Sequence, residues 1–231
     1  MEKSGDVQDW SCFFSEAESV FSKIPMATVP GNHETSVIPY TYLQMLPVPE
    51  EGPAEGEFYS FDYGSCHFIM LNSCFFMDER IRDMGTSQWQ KQLEKVEHWL
   101  YEDLKASSAK WNVAVLHHPP YPVQDDNEIY SRIGSSLGKI FESAGADLVL
   151  CGHQHCYMRT EAINGVTYIM GNSGEKQSYY YEEDDPLPAY IKKLKRQTGT
   201  YQILTVSKSQ LKLEAFDREG NLLDQWKSGK K

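Results

Sequence analysis

The sequence predicts an α/β domain in which two mixed β-sheets form a core flanked by helices. Two observations carry this. Over the first 151 residues, short apolar runs alternate with segments of helical periodicity, the pattern of a sheet with helices packed on it. Beyond that, apolar runs follow one another with turn residues between them, the pattern of antiparallel strands. The 231 residues suffice for one sizeable domain with a real core. No internal repeat divides them, so residues 1–231 read as a single domain.

The elements follow in order. Residues 8–23 carry Trp10, Phe13, Phe14, Ala17, Val20 and Phe21 at near-helical spacing, an amphipathic helix. Residues 24–30 read as a short strand. Residues 37–56 are rich in proline and read as a long loop, with one helical turn at 42–45. Residues 58–63 and 67–72 form a hairpin about Gly64-Ser65. Residues 87–106 are the clearest helix: Trp89, Leu93, Val96, Trp99, Leu100 and Leu104 line one stripe, and Thr86 is placed to cap it. Residues 112–116 are apolar and too short for a helix, hence a buried strand. Residues 129–143 give a second helix, stopped by Gly145. Residues 147–151 are another buried strand, and 157–163 and 166–170 two more. The tail offers strands at 201–207, 211–216 and 222–226. Residues 177–196 combine three tyrosines, four acids and a basic run. They are too polar for core and read as a surface insertion or a lid.

Composition excludes several functions. Hydrophobic residues make 40% and charged residues 24% of the chain, as in globular proteins. The net charge of −11 argues against a nucleic-acid or anionic-membrane surface, which needs a basic face. No apolar run approaches a membrane span, and no signal region opens the chain. Localisation and oligomeric state stay unknown. The five cysteines, Cys12, Cys66, Cys74, Cys151 and Cys156, form no CxxC pair. They read as free thiols, with a Cys151–Cys156 disulfide the one pairing worth testing.

Chemistry concentrates in three short motifs: Gly31-Asn32-His33-Glu34, His117-His118-Pro119-Pro120-Tyr121 and Gly152-His153-Gln154-His155. Each follows an apolar run. An amide oxygen and several imidazoles are donors for divalent or trivalent metals. Side chains at the ends of adjacent strands converge on one point in open α/β sheets. Gly31 and Gly152 are placed to permit the sharp turns this requires. His67 lies in a strand pattern and His98 on the long helix, so both read as structural.

In this order the motifs resemble the second half of the calcineurin-like metallophosphoesterase signature. The Pro-Pro-Tyr after the histidine doublet, Tyr157 and Arg159 favour its purple-acid-phosphatase-like branch. So do the segments at 165–174 and 216–221. The resemblance implies two mixed sheets sandwiched together and flanked by helices. It implies hydrolysis of a small phosphorylated substrate, a phosphomonoester first, by attack of a metal-bound water. Phosphodiester or nucleotide hydrolysis is the alternative on the same scaffold. By position, Asn32, His117 and His153 resemble the ligands of one metal and His155 a ligand of the other. His33 resembles the histidine that assists the leaving group, and Glu34 would hold an imidazole in place. In the doublet, His117 matches the ligand, and His118 falls where a small residue is common. The ions implied are Fe, Zn or Mn, two in an intact domain. Intact relatives are often secreted.

The first half of the signature, an Asp-x-His and a Gly-Asp motif, is not in this chain as an apolar strand followed by the motif. Gly5-Asp6 matches the second motif literally, but lacks that strand and sits close to Asn32. The expectation is therefore a domain missing its first strands and holding one metal, with the bridging carboxylate upstream of residue 1 and Asp6 the lesser alternative for it. A catalytically impaired fragment with part of the metal site is the reading from a different class.

Overall fold

The computed structural model describes residues 7–34, 52–53, 57–172, 174 and 186–229. Helix α1, Val7–Phe21, buries Trp10 within an aromatic cluster with Phe13 and Phe14. The hairpin forms as β1, Phe58–Tyr63, and β2, Cys66–Leu71. It turns at Gly64, whose φ of 62° favours a residue without a Cβ. A 3₁₀ turn, Ser73–Phe76, follows, then α2, Asp78–Met84, and α3, Thr86–Ala106. Strand β3, Trp111–Leu116, leads through the histidine doublet to a helix built from α4, Glu128–Ile133, a π turn at Gly134–Gly138, and α5, Lys139–Ala144. Strands β4, Leu148–Cys151, β5, Tyr157–Thr160, and β6, Thr167–Met170, come next. The chain ends in β7, Ile191–Lys195, β8, Thr200–Val206, β9, Gln210–Asp217, and β10, Leu222–Gly229.

Seven strands make one mixed sheet in the order β1-β2-β3-β4-β6-β5-β7, and three make a second, β10-β9-β8. In the large sheet β2, β3, β4 and β6 run parallel. One face packs on helices: Leu71, Ala114, Leu116 and Val149 meet Val96, Leu100, Leu104, Ile133, Leu137 and Phe141. The other meets the small sheet, with Trp111, Val113, Leu148, Tyr157 and Ile169 against Leu211, Leu213 and Ala215. Each fully buried Val, Leu, Ile or Phe side chain among these contributes roughly 1.5–3 kcal/mol relative to exposure. Polar ties join the sheets. Trp111 Nε1 donates to Ser207 O at 2.7 Å. Asp224 on β10 accepts from the Tyr157 hydroxyl and from Arg159 Nε and Nη2. This geometry bears out the expected class, two sheets with flanking helices, the large one mixed and the small one antiparallel.

Four local expectations need correction. Residues 24–30 pair with no strand among the described residues. Pro25 and Pro30 lack N–H donors, and Thr28 is tied instead to the Tyr59 hydroxyl through both its N–H and its carbonyl. Thr86 is inside α3, and Gly85 occupies the cap position with no side-chain bond. The polar segment 177–196 is not all insertion: residues 191–195 form β7, which pairs with β5 at the sheet edge. Lysines are common on such edges because they discourage further pairing. The 3₁₀ turn and α2 lie where the sequence reading left a gap. Residues 42–45 and the tyrosine and acid runs at 179–185 lie outside the described residues, as does Asp6.

Candidate metal centre

The parallel strands β2, β3 and β4 end side by side, and each is followed within a few residues by a polar side chain at the same place. After β2 comes Ser73, after β3 His117 and His118, after β4 His153 and His155. Asn32 arrives from the loop after α1. His117 Nε2 lies 2.9 Å from Asn32 Oδ1 and 3.1 Å from His153 Nδ1. His117, His118 and His153 each present a ring nitrogen, and these three atoms lie within 4.8 Å of one another. The rings touch: the centroid of His153 is 5.0 Å from that of His117 and 4.3 Å from that of His118.

The approach is close enough to restrict neighbours. A Cβ on Gly31 would lie 2.8 Å from Glu34 Oε2 and 3.0 Å from His117 Nδ1. Gly31 is thus required by contact and not by its backbone conformation. Glu34 Oε2 accepts the Gly31 N–H at 2.9 Å, and Glu34 N–H donates to Gly31 O. Glu34 therefore closes the turn that presents Asn32 and His33. In the third motif the left-handed residues are the histidines and not Gly152. His153 has φ 74° and His155 φ 48°, a conformation uncommon for residues with a Cβ. Gln154 N–H donates to Gly152 O across His153, and Gly152 N–H to His117 O, which locks the third motif to the second. Further along, Gly134 in the π turn packs against Pro120, where a Cβ would lie 3.2 Å from the carbonyl oxygen. The π turn thus fits against the strand-end loop.

Burial holds the His117 and His118 imidazoles neutral. His117 is pulled down to about 3, by burial first and then by proximity to His153, His155 and His33. His118 is pushed well below its ordinary value by burial and by His117 and His153. Neutral imidazole lone pairs and one amide oxygen converging around a single point are the donor set of a borderline cation such as Zn, Mn or Fe. A single proton on His117 Nε2 meets two acceptor-capable atoms at 2.9 and 3.1 Å, an arrangement a cation satisfies better than one hydrogen does. The residues present fit a metal. The close imidazole group holds no carboxylate among the described residues.

The sequence reading discounted His118 and missed Ser73, Gln154 and Tyr130. Gln154, nearly buried, holds the loop after the doublet: its Oε1 accepts from Val123 N and Gln124 N, and its Nε2 donates to Gln124 O and the Tyr130 hydroxyl. The tyrosine ring also sits 6.1 Å from that of His153. The strand-end position of Asn72-Ser73 was the signal available for Ser73. His67 is structural as expected. Its ring bridges Asp62 and Asp103 at 2.7 and 2.8 Å. His98 is exposed on α3. All five cysteines are free. Burial raises the Cys156 thiol to about 12.

Residues 3–157 match the calcineurin-like phosphoesterase family, and the chain belongs to that family. Several relatives within it are purple acid phosphatases. The chain is 28% identical over 205 residues to probable purple acid phosphatase 20 of Arabidopsis thaliana, covering 78% of this chain and 44% of that protein. It is 26% identical over 186 residues to acid phosphatase type 7 of Danio rerio, covering 71% and 40%. It therefore spans less than half the length of these relatives. Among solved structures, a purple acid phosphatase from yellow lupin seeds has the same fold, with a TM-score of 0.72 at 19% identity over 99% of this chain and 44% of that one. GAP50, the anchor in the inner membrane complex of Plasmodium, also shares it, with a TM-score of 0.66 at 15% identity over 90% and 67%. Metal binding is characteristic of the family. No helix among the described residues is long and apolar enough to cross a membrane.

Proposed function

We propose that this chain carries the metal-binding core of a phosphoester hydrolase acting first on phosphomonoesters. The observation that supports it most is the meeting of Asn32, His117 and His153 within 3.1 Å at His117 Nε2, in a chain of this family. Asn32, His117 and His153 would hold one metal, and His155 would serve a second. When bound, such an ion polarises a phosphoryl oxygen and makes a water more acidic. The protein's own residues do the rest. Gly31 and Glu34 fix the turn that carries Asn32. His33 faces the same group closely enough to lower the pKa of His117. It would supply a proton to the departing alcohol oxygen. The Gln154 clamp keeps the third motif from relaxing.

A second reading is a chain that binds metal with impaired turnover. It is favoured by the imidazole group lacking a carboxylate among the described residues, since two cations about 3.5–4 Å apart need negative charge between them. The test is hydrolysis of p-nitrophenyl phosphate with added Mn²⁺ or Zn²⁺, beside calorimetric metal titration, for the wild type and His153→Ala. Metal-dependent turnover that His153→Ala abolishes supports hydrolysis. Metal binding with no turnover supports the second reading. Absence of metal binding, or binding unaltered in His153→Ala, overturns both.

A further inference from the structure

Resting on that reading of the site, we propose that His118 is a neutral N–H donor to a phosphoryl oxygen of the substrate, and not a metal ligand. Its tautomer is set by Ser73. The argument is one of hydrogen-bond arithmetic. Ser73 is fully buried and His118 is 2% exposed. Ser73 Oγ accepts the backbone N–H of His118 at 2.9 Å. It also lies 2.9 Å from His118 Nδ1. Among the described residues these are its hydrogen bonds. A buried hydroxyl must donate its own hydrogen, and the acceptor within reach is the Nδ1 lone pair. The proton of the neutral ring is then on Nε2.

The alternative is a third imidazole ligand, which the 4.8 Å grouping of ring nitrogens invites. Ligation through Nε2 would require the proton on Nδ1, pointing at an oxygen that already accepts a backbone N–H. The Ser73 hydrogen would be left inside the core with no acceptor among the described residues. Ligation through Nδ1 is blocked by Ser73 itself. The ring is not remote from the chemistry. Its centroid is 4.8 Å from that of His117 and 4.3 Å from that of His153. Its Nε2 has no hydrogen-bond partner among the described residues, which leaves that N–H as the ring's one donor for a ligand. A donor so placed, beside the metal ligands, suits the oxygens of a tetrahedral oxyanion.

Two measurements decide it. In metal-free protein labelled with ¹⁵N-histidine, long-range correlation spectra should place His118 Nε2 in the protonated range and Nδ1 in the unprotonated one. In protein saturated with Mn²⁺, His118→Ala should weaken inorganic phosphate binding by up to about tenfold and leave Mn²⁺ affinity within about twofold of the wild type. His118→Gln, which keeps an N–H donor, should recover most of the phosphate affinity. Ser73→Ala, which removes only the hydroxyl, should yield both tautomers. A proton on Nδ1, a fall in Mn²⁺ affinity in His118→Ala and His118→Gln, or unchanged phosphate binding would each overturn the assignment. Wild-type protein that binds neither Mn²⁺ nor phosphate would instead mark failure of the phosphoesterase reading, and the proposal would fall with it.

Discussion

Gln154 sits between the two histidines of the third motif, and its removal should unsettle both fold and site. Its amide makes four hydrogen bonds: 2.6 and 3.3 Å from Val123 N and Gln124 N to Oε1, 2.6 Å from Nε2 to Gln124 O, and 3.2 Å to the Tyr130 hydroxyl. The residue is 7% exposed, so water replaces these bonds only after rearrangement. Net hydrogen bonds contribute about 1 kcal/mol each, and an orphaned buried donor costs about 1–3 kcal/mol. Discounting the long Gln124 N contact, Gln154→Ala should destabilise the domain by roughly 2–4 kcal/mol. A domain of this size loses about 2–4 °C in Tm per kcal/mol, so the midpoint should fall by about 5–15 °C. Gln154→Glu is the control. A carboxylate keeps the two accepted N–H bonds but turns an acceptor toward Gln124 O. It should therefore rescue little. Urea denaturation followed by tryptophan fluorescence measures stability, and Mn²⁺ titration measures the site, which should weaken with the loop. Gln154→Ala within about 0.5 kcal/mol of wild type, with Mn²⁺ affinity unchanged, would refute the reasoning and make Gln154 an ordinary turn residue.

Three further outcomes are expected. Gly31→Ala places a methyl 3.0 Å from the His117 ring and 2.8 Å from Glu34 Oε2; it should cost about 1–3 kcal/mol and reduce metal affinity, and a variant with native urea midpoint and native affinity would contradict this. His67, between Asp103 and Asp62, has its pKa raised above 6.5 chiefly by the Asp103 hydrogen bond; the folded state binds this proton more tightly, so its stabilisation is full below pH 6.5 and lost as pH rises through the folded value. Denaturation midpoints across that range should therefore fall in wild type and flatten in His67→Gln, and parallel profiles would dismiss the clamp. Binding linkage at a hundredfold excess over Kd adds about 2.7 kcal/mol, or about 5–10 °C in Tm, so Zn²⁺ or Mn²⁺ should raise the midpoint by that amount in wild type and by little in His153→Ala.

Strand positions were legible because fully buried parallel strands are continuous apolar runs: residues 112–116 and 147–151 differ from the observed β3 and β4 by one residue at the start. The long helix was legible for the complementary reason, an apolar stripe on a charged segment. Two kinds of error follow from what composition cannot see. Residues 24–30 look like a strand, yet they carry two prolines and bond the Tyr59 hydroxyl in place of a ladder. Residues 191–195 look like surface because an edge strand needs burial on only part of its area, and lysines satisfy the exposed remainder. At the site, the donor residues announced themselves by type and place. Their supports did not. Ser73 and Gln154 are ordinary polar residues whose function depends on partners 45 and 30 or 31 positions away, a separation that no local pattern encodes. Val20, on the apolar stripe expected of the first helix, is instead exposed.

The same distinction explains where the strain of the site resides. Gly31 and Gly152 were expected to absorb the turns, but His153 and His155 carry the positive φ angles, each at a cost of order 1–3 kcal/mol. Such a conformation persists only if its surroundings over-determine it. Here three sets of bonds do so. Gly152 N–H is fixed to His117 O, Gln154 is fixed at four points, and Tyr157, two residues after His155, is pinned with Arg159 to Asp224 of the second sheet. The small sheet thus bears on the site by anchoring the strand that begins two residues after His155. Replacing either histidine by glycine would relieve the backbone while deleting the ring, so the strain and the imidazoles cannot be separated by evolution of this turn alone. The fold accepts a left-handed backbone because that is what brings the His153 ring against His117 and His118, whose desolvated, neutral imidazoles have lone pairs to give.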